Sequence, residues 1–177
     1  MASRSVVKPI PELNMSKVIA ALRGHQVGLY SGDDGINLVT NTQIMLVLSD
    51  DELWHVQASL RLREVNGWYY PGNQRPHKDF PESARGIIAS AINAQNVTLE
   101  LTGLTEHNDK AYLARDGGYV LIDQKYIDIF NVIKTAEQQA DNPNSTVLIN
   151  GKHLICPIVG IVSKYLLPLQ ARQREAV

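Results

Sequence analysis

Ser49-Asp50-Asp51-Glu52-Leu53-Trp54-His55-Val56-Gln57-Ala58-Ser59-Leu60-Arg61-Leu62-Arg63-Glu64-Val65-Asn66-Gly67-Trp68-Tyr69-Tyr70 is the stretch on which the fold turns. Its first four residues suit either a helix-opening capping box or a turn. From Trp54 onward, Trp54, Val56, Ala58, Leu60 and Leu62 alternate with His55, Gln57, Ser59, Arg61 and Arg63, a period of two. That alternation predicts a long strand over residues 53–65 with one apolar and one polar face. Asn66-Gly67 then fits a type I′ hairpin, whose central residues both need φ > 0, and the chain returns through Trp68, Tyr69 and Tyr70.

Working outward, Asn14 or Ser16 can cap a short helix through Val18, Ile19 and Leu22 that ends near Gly24. Residues 26–30 and 36–40 flank the turn Ser31-Gly32-Asp33-Asp34-Gly35 as a hairpin. Ile44 to Leu48 is a continuous apolar run suited to a strand covered on both faces. Pro81 to Ala94 reads as a helix with Ala84, Ile87, Ile88, Ala91 and Ile92 as its apolar stripe. Residues 97–101 alternate as a strand, and residues 111–114 pair with residues 119–122 around Arg115-Asp116-Gly117-Gly118. Asp123 caps a second helix whose face is Tyr126, Ile129, Phe130, Ile133 and Ala136, closed by Asp141-Asn142-Pro143-Asn144. Residues 147–149 and 153–156 form a hairpin at Asn150-Gly151. Strands joined by short hairpin turns, with two or three helices between them, predict an α+β domain on a mainly antiparallel sheet, a partly closed barrel being a variant.

No repeat, low-complexity block or long linker divides the 177 residues, so a single domain over residues 1–169 is expected, followed by a disordered polar tail, 170–177. A chain this long buries enough apolar surface to fold without disulfides. Cys156, the one cysteine, lies in the apolar run Leu154-Ile155-Cys156-Pro157-Ile158 and reads as a buried, inert thiol. The N-terminus lacks a secretory signal pattern and no stretch reaches the ~20 apolar residues of a membrane span. The expectation is a cytoplasmic protein without a membrane partner. Seventeen Lys+Arg against eighteen Asp+Glu, a formal charge of −1, argue against a polycationic binder of extended duplex nucleic acid.

The candidate site follows from the hairpin geometry. A two-residue turn at Asn66-Gly67 sets Arg63 opposite Tyr70 and Val65 opposite Trp68, so Arg61, Arg63, Trp68 and Tyr70 share one face. Two arginines at i and i+2 stand about 6.8 Å apart, close enough to converge on phosphate, and an aromatic beside them can stack on a base. The loop after them adds Arg75, His77 and Lys78 ahead of a helix N-terminus. Residues 53–85 hold five Lys/Arg and three Asp/Glu, a local +2 that leaves −3 elsewhere. The leading expectation is a non-enzymatic protein that binds an anionic small molecule, a nucleotide, on this basic and aromatic face. A second reading makes the same Trp/Tyr/Arg cluster a protein–protein contact, in an inhibitor or an assembly subunit. A third makes His77 the base of a small hydrolase or transferase, with Asp79 or Asp109 nearby. The bland reading is that the arginines only solvate an exposed sheet face and protect it from edge pairing.

Other chemistries have little to stand on. His25, His55, His77, His107 and His153 are too widely spaced for a local zinc motif, Asp33-Asp34-Gly35 lacks the alternating ligands of a calcium loop, and no metal is expected. There is no nucleophile elbow, Walker loop or dinucleotide-binding turn, and no cofactor is expected. The apolar run Ile158 to Leu169 either completes the core or mediates homo-oligomer formation.

Overall fold

The computed structural model describes residues 9–81, 83–106, 110–115 and 118–158. Helix α1 (Met15–Leu22) starts where Asn14 accepts the Lys17 N–H on its side chain. Strands β1 (Val27–Ser31), β2 (Asn37–Thr40) and β3 (Ile44–Leu48) then form an antiparallel meander. Helix α2 (Asp50–Leu60) follows, then β4 (Gly67–Tyr69), β5 (Lys78–Asp79), α3 (Ala84–Asn93) and β6 (Asn96–Thr98). Strands β7 (Glu100–Glu106), β8 (Lys110–Arg115) and β9 (Gly118–Asp123) make a separate three-stranded antiparallel sheet. The short α4 (Gln124–Ile127), β10 (Ala136–Gln139), β11 (Val147–Ile149) and β12 (His153–Ile155) complete the described chain.

Nine strands join in one open antiparallel sheet, ordered β5-β4-β1-β2-β3-β12-β11-β10-β6. The fold is α+β, and the sheet does not close into a barrel. Successive residues serve opposite faces, as the pleat requires. Leu29, Val39, Leu46, Ile149 and Ile155 face the larger core, which α1, α2, α4 and the three-stranded sheet cover. Tyr30, Leu38, Met45, Leu148 and Leu154 face the other way, onto Phe80 and the Ala84 and Ile88 side of α3. Ile87 and Ile92, expected on that inner stripe, are half-exposed. No described helix is long and apolar enough to cross a membrane.

Residues 53–65 are not a strand. Ser49 and Glu52 form the reciprocal capping box: Ser49 Oγ accepts the Glu52 N–H at 3.3 Å, and Glu52 Oε2 accepts the Ser49 N–H at 2.8 Å. Asp50, Asp51 and Glu52 place three carboxylates in the first turn, where the helix dipole favours them. The apolar set that is used is Leu53, Val56 and Leu60, at helical spacing, whereas Trp54 and Ala58, which made the alternation look like a strand, are exposed. The helix stops at Arg61, which adopts φ 58° and ψ 37° while its N–H and that of Leu62 bond to the Ala58 and Gln57 carbonyls.

Two further expectations change. β4 pairs with β1 and β5 rather than with residues 61–65, so Asn66-Gly67 does not join a two-strand hairpin. The helix expected after Asp123 lasts a single turn. Beyond it the backbone is taken by the N-terminal lead-in: Asn14 N–H bonds to Ile129 O at 2.7 Å and Asn131 N–H to Glu12 O at 2.9 Å. Ala136 then begins β10 between β11 and β6. The tail 170–177, and all of the apolar run after Ile158, lie outside the described residues.

Candidate functional site

With α2 a helix, Arg61, Arg63, Trp68 and Tyr70 no longer share a sheet face. Trp68 sits on the smaller core, its ring 5.3 Å from Phe80 and half-buried, with Lys78 Nζ 5.5 Å above it as a cation–π contact. The next residue, Tyr69, is buried on the opposite side, in the larger core, and its hydroxyl donates to the Glu64 carbonyl while accepting the Glu64 N–H. Burial pushes the Tyr69 hydroxyl above its ordinary range. This anchor fixes the 61–66 connection against β4.

Tyr70 emerges just past β4, 54% exposed, with its ring stacked on His77 at 3.9 Å and 15°. His77 in turn lies 3.1 Å from Gln26 Nε2, so the amide donates and the ring Nε2 accepts. Arg63 is tied to the loop beyond: its N–H bonds to Gln74 O and its Nε to Gln74 Oε1, both at 3.0 Å. Arg75 is exposed on the same loop.

These ties bring the 70–73 turn against the ends of two helices. The result is an open cleft of about 200 Å³ between the C-terminal ends of α1 and α2, with Arg23, His25, Arg61, Tyr70 and Asn73 around it and Leu22, Val27 and Leu62 among its apolar lining. Of the seven residues expected to form the site, Arg61 and Tyr70 line this cleft. Arg63, Arg75 and His77 lie on the connected loops, and Trp68 with Lys78 forms a separate contact. Arg23 and His25 were not anticipated. Their signal lay in the helix end at Gly24, which places the two residues flanking it at a C-terminus, where cations are favoured.

Charge concentrates here more than sequence order suggested. Residues 23–26 and 61–78 together carry five Lys/Arg (23, 61, 63, 75, 78) and one carboxylate, Glu64, a balance of +4 that leaves −5 for the rest of a −1 chain. Two helix C-termini oppose an anion in the cleft, each by roughly 0.3–1 kcal/mol. Arg23 and Arg61 offset that field, and their guanidiniums are free of any ion pair to a described carboxylate within the salt-bridge distance.

Away from the cleft, every buried side-chain nitrogen and oxygen among the described residues has a hydrogen-bond partner. His153 is 1% exposed and has both ring nitrogens engaged: Nδ1 accepts the Val47 N–H at 3.2 Å and Nε2 donates to Glu12 Oε1 at 3.2 Å. Burial lowers its pKa to about 4. Cys156 is partly buried, which pushes its thiol up. Among the described residues no three His, Cys, Asp or Glu side chains gather closely enough to hold a metal. His107 and Asp109 lie outside those residues. The chain matches no protein-family model, no curated protein and no solved structure among those with which it was compared.

Proposed function

We propose that this protein binds a phosphate-bearing small molecule, a mononucleotide, at the cleft where α1 and α2 end. The observation that carries the reading is the grouping of Arg23, His25 and Arg61 with the exposed ring of Tyr70 around one opening, in the basic part of a chain that is acidic elsewhere. Arginine suits phosphate because its planar donors engage two oxygens at once. Tyr70, backed by His77, offers a held aromatic face for a base. A cleft of about 200 Å³ is below the ~300–1,000 Å³ of pockets that enclose drug-sized ligands, so it suits one nucleotide unit left partly in solvent rather than a dinucleotide.

Thermal-shift measurements of the full chain against mono-, di- and cyclic nucleotides test this. A ligand at 100 times its Kd adds about 2.7 kcal/mol of apparent stability. The expected result is a shift that weakens with salt and is lost in Arg61→Ala and Tyr70→Ala. No shift with any nucleotide, or a shift that both variants retain, overturns the proposal.

A further inference from the structure

We infer that the outer stripe of α2 is a self-association surface, on which a second copy of this chain docks with its own α2 antiparallel. Trp54 is 70% exposed, and tryptophan is among the residue types enriched at the hot spots where proteins bind one another. At 3.6 residues per turn, Asp51, Trp54 and Ala58 lie within about 60° of each other around the helix, on the side away from Leu53, Val56 and Leu60. Arg61 follows the last turn of α2, exposed and with a positive φ, at the rim of the cleft and within reach of the end of the stripe.

The stripe is complementary to itself. A twofold axis midway between Trp54 and Ala58 sets Asp51 of each copy against Arg61 of the other, and the Trp54 ring of each over the small Ala58 of the other. The two ion pairs then stand about 15 Å apart, ten residues at ~1.5 Å rise, with the apolar contacts between them. This is an isologous interface: whatever i contacts on the partner, j contacts in return. Ala58 permits the 8–10 Å approach of packed helices. A parallel arrangement would set Asp51 against Asp51, so charge selects the antiparallel one.

The inference shares Arg61 with the nucleotide reading but does not rest on it, so its test contains no nucleotide and is also read through Asp51 and Trp54, which lie outside the cleft. Mass is measured by light scattering or sedimentation on the full chain across the micromolar to millimolar range. The expected wild-type result is a rise from 19.6 kDa toward twice that value. Asp51→Arg and Arg61→Asp each place like charges at both ends and are expected to stay monomeric. An equimolar mixture of the two variants restores both ion pairs and is expected to recover the dimer. Trp54→Lys, on an exposed site, is a third monomeric variant that leaves the capping box intact, and circular dichroism verifies that each variant is folded. A wild type that stays at 19.6 kDa, a dimer that the single variants still form, or a mixture that fails to dimerise overturns the inference.

Discussion

Glu12 and His153 stand 141 positions apart in sequence, and their side chains meet at 3.2 Å, Oε1 to Nε2. Glu12 also accepts from Asn150 Nδ2 at 2.8 Å and pairs with Lys152 Nζ at 2.7 Å, so one carboxylate joins the N-terminal lead-in to the β11–β12 turn. Burial works against the Glu12 charge, but the hydrogen bonds from Lys152 and Asn150 and the neighbouring positive charge hold its pKa below the usual value.

This knot makes the fold acid-sensitive. His153 titrates near 6.5 when unfolded but near 4 when folded, so the unfolded chain binds the proton first. Its contribution is complete above about pH 6.5 and is lost as pH falls toward 4, a change on the order of 3 kcal/mol for a shift of this size. Glu12, with a lowered pKa, adds stability that is present above its unfolded value and is lost below it. Urea midpoints measured from pH 7.5 to 4 are expected to fall for wild type, with a shallower decline in His153→Gln.

Removing the cap of α2 isolates the feature that overrides the alternating pattern. Ser49→Ala deletes one half of the capping box and is expected to cost about 1 kcal/mol. The urea midpoint moves while the slope with denaturant stays unchanged.

Gly28 marks the closest approach on the smaller core. A Cβ there would lie 2.5 Å from Phe80 Cε2 and 3.1 Å from Thr40 Cγ2. Gly28→Ala therefore has to displace Phe80, and through it Trp68 and Tyr30, at a cost of roughly 1–3 kcal/mol. The melting temperature reads this loss directly.

Arg61 occupies a left-handed position at which a residue with a Cβ is strained by roughly 1–2 kcal/mol. Arg61→Gly is expected to raise stability by about 1 kcal/mol while abolishing both nucleotide binding and self-association. Opposite signs in the melt and in the two binding readouts identify a residue kept for contact rather than for folding.

Trp68 and Tyr70 separate the two kinds of aromatic. Trp68→Ala, cut from its packing on Phe80, is expected to lower stability by about 2 kcal/mol without changing nucleotide affinity in the folded fraction. Tyr70→Ala is expected to do the reverse. Isothermal titration alongside thermal melts checks both.

The hairpins were legible because their turns declare themselves. Asn150 and Gly151 take φ 52° and 69°, the backbone that an Asn-Gly pair favours, and β11 and β12 pair on either side of them. The β1–β2 and β8–β9 pairings were legible from the turn-forming sequences Ser31-Gly32-Asp33-Asp34-Gly35 and Arg115-Asp116-Gly117-Gly118 that separate their apolar segments. Residues 53–65 misled because Trp54 and Ala58 sit in the pattern without sitting in the core, and because the helix ends on Arg61 where a glycine would have marked the stop. The basic cleft stayed hidden for a related reason. Its residues come from two helix ends almost forty positions apart, and only the stacking of α1 beside α2 brings Arg23 near Arg61. Phe130 and Ile133 carried helical spacing, but pairing with the lead-in at Leu13 competes for that backbone and wins.

The order of strands also sets the order in which the protein can be finished on the ribosome. Strand β3, Ile-Met-Leu-Val-Leu, gains its second neighbour only from β12, through Met45 with Leu154 and Ile44 with Ile155, more than a hundred residues later. Until that hairpin has been synthesised, this wholly apolar five-residue strand is an unpaired edge of the kind that recruits other chains. A nascent chain halted before His153 thus leaves that edge open, and is expected to aggregate more readily than the full chain.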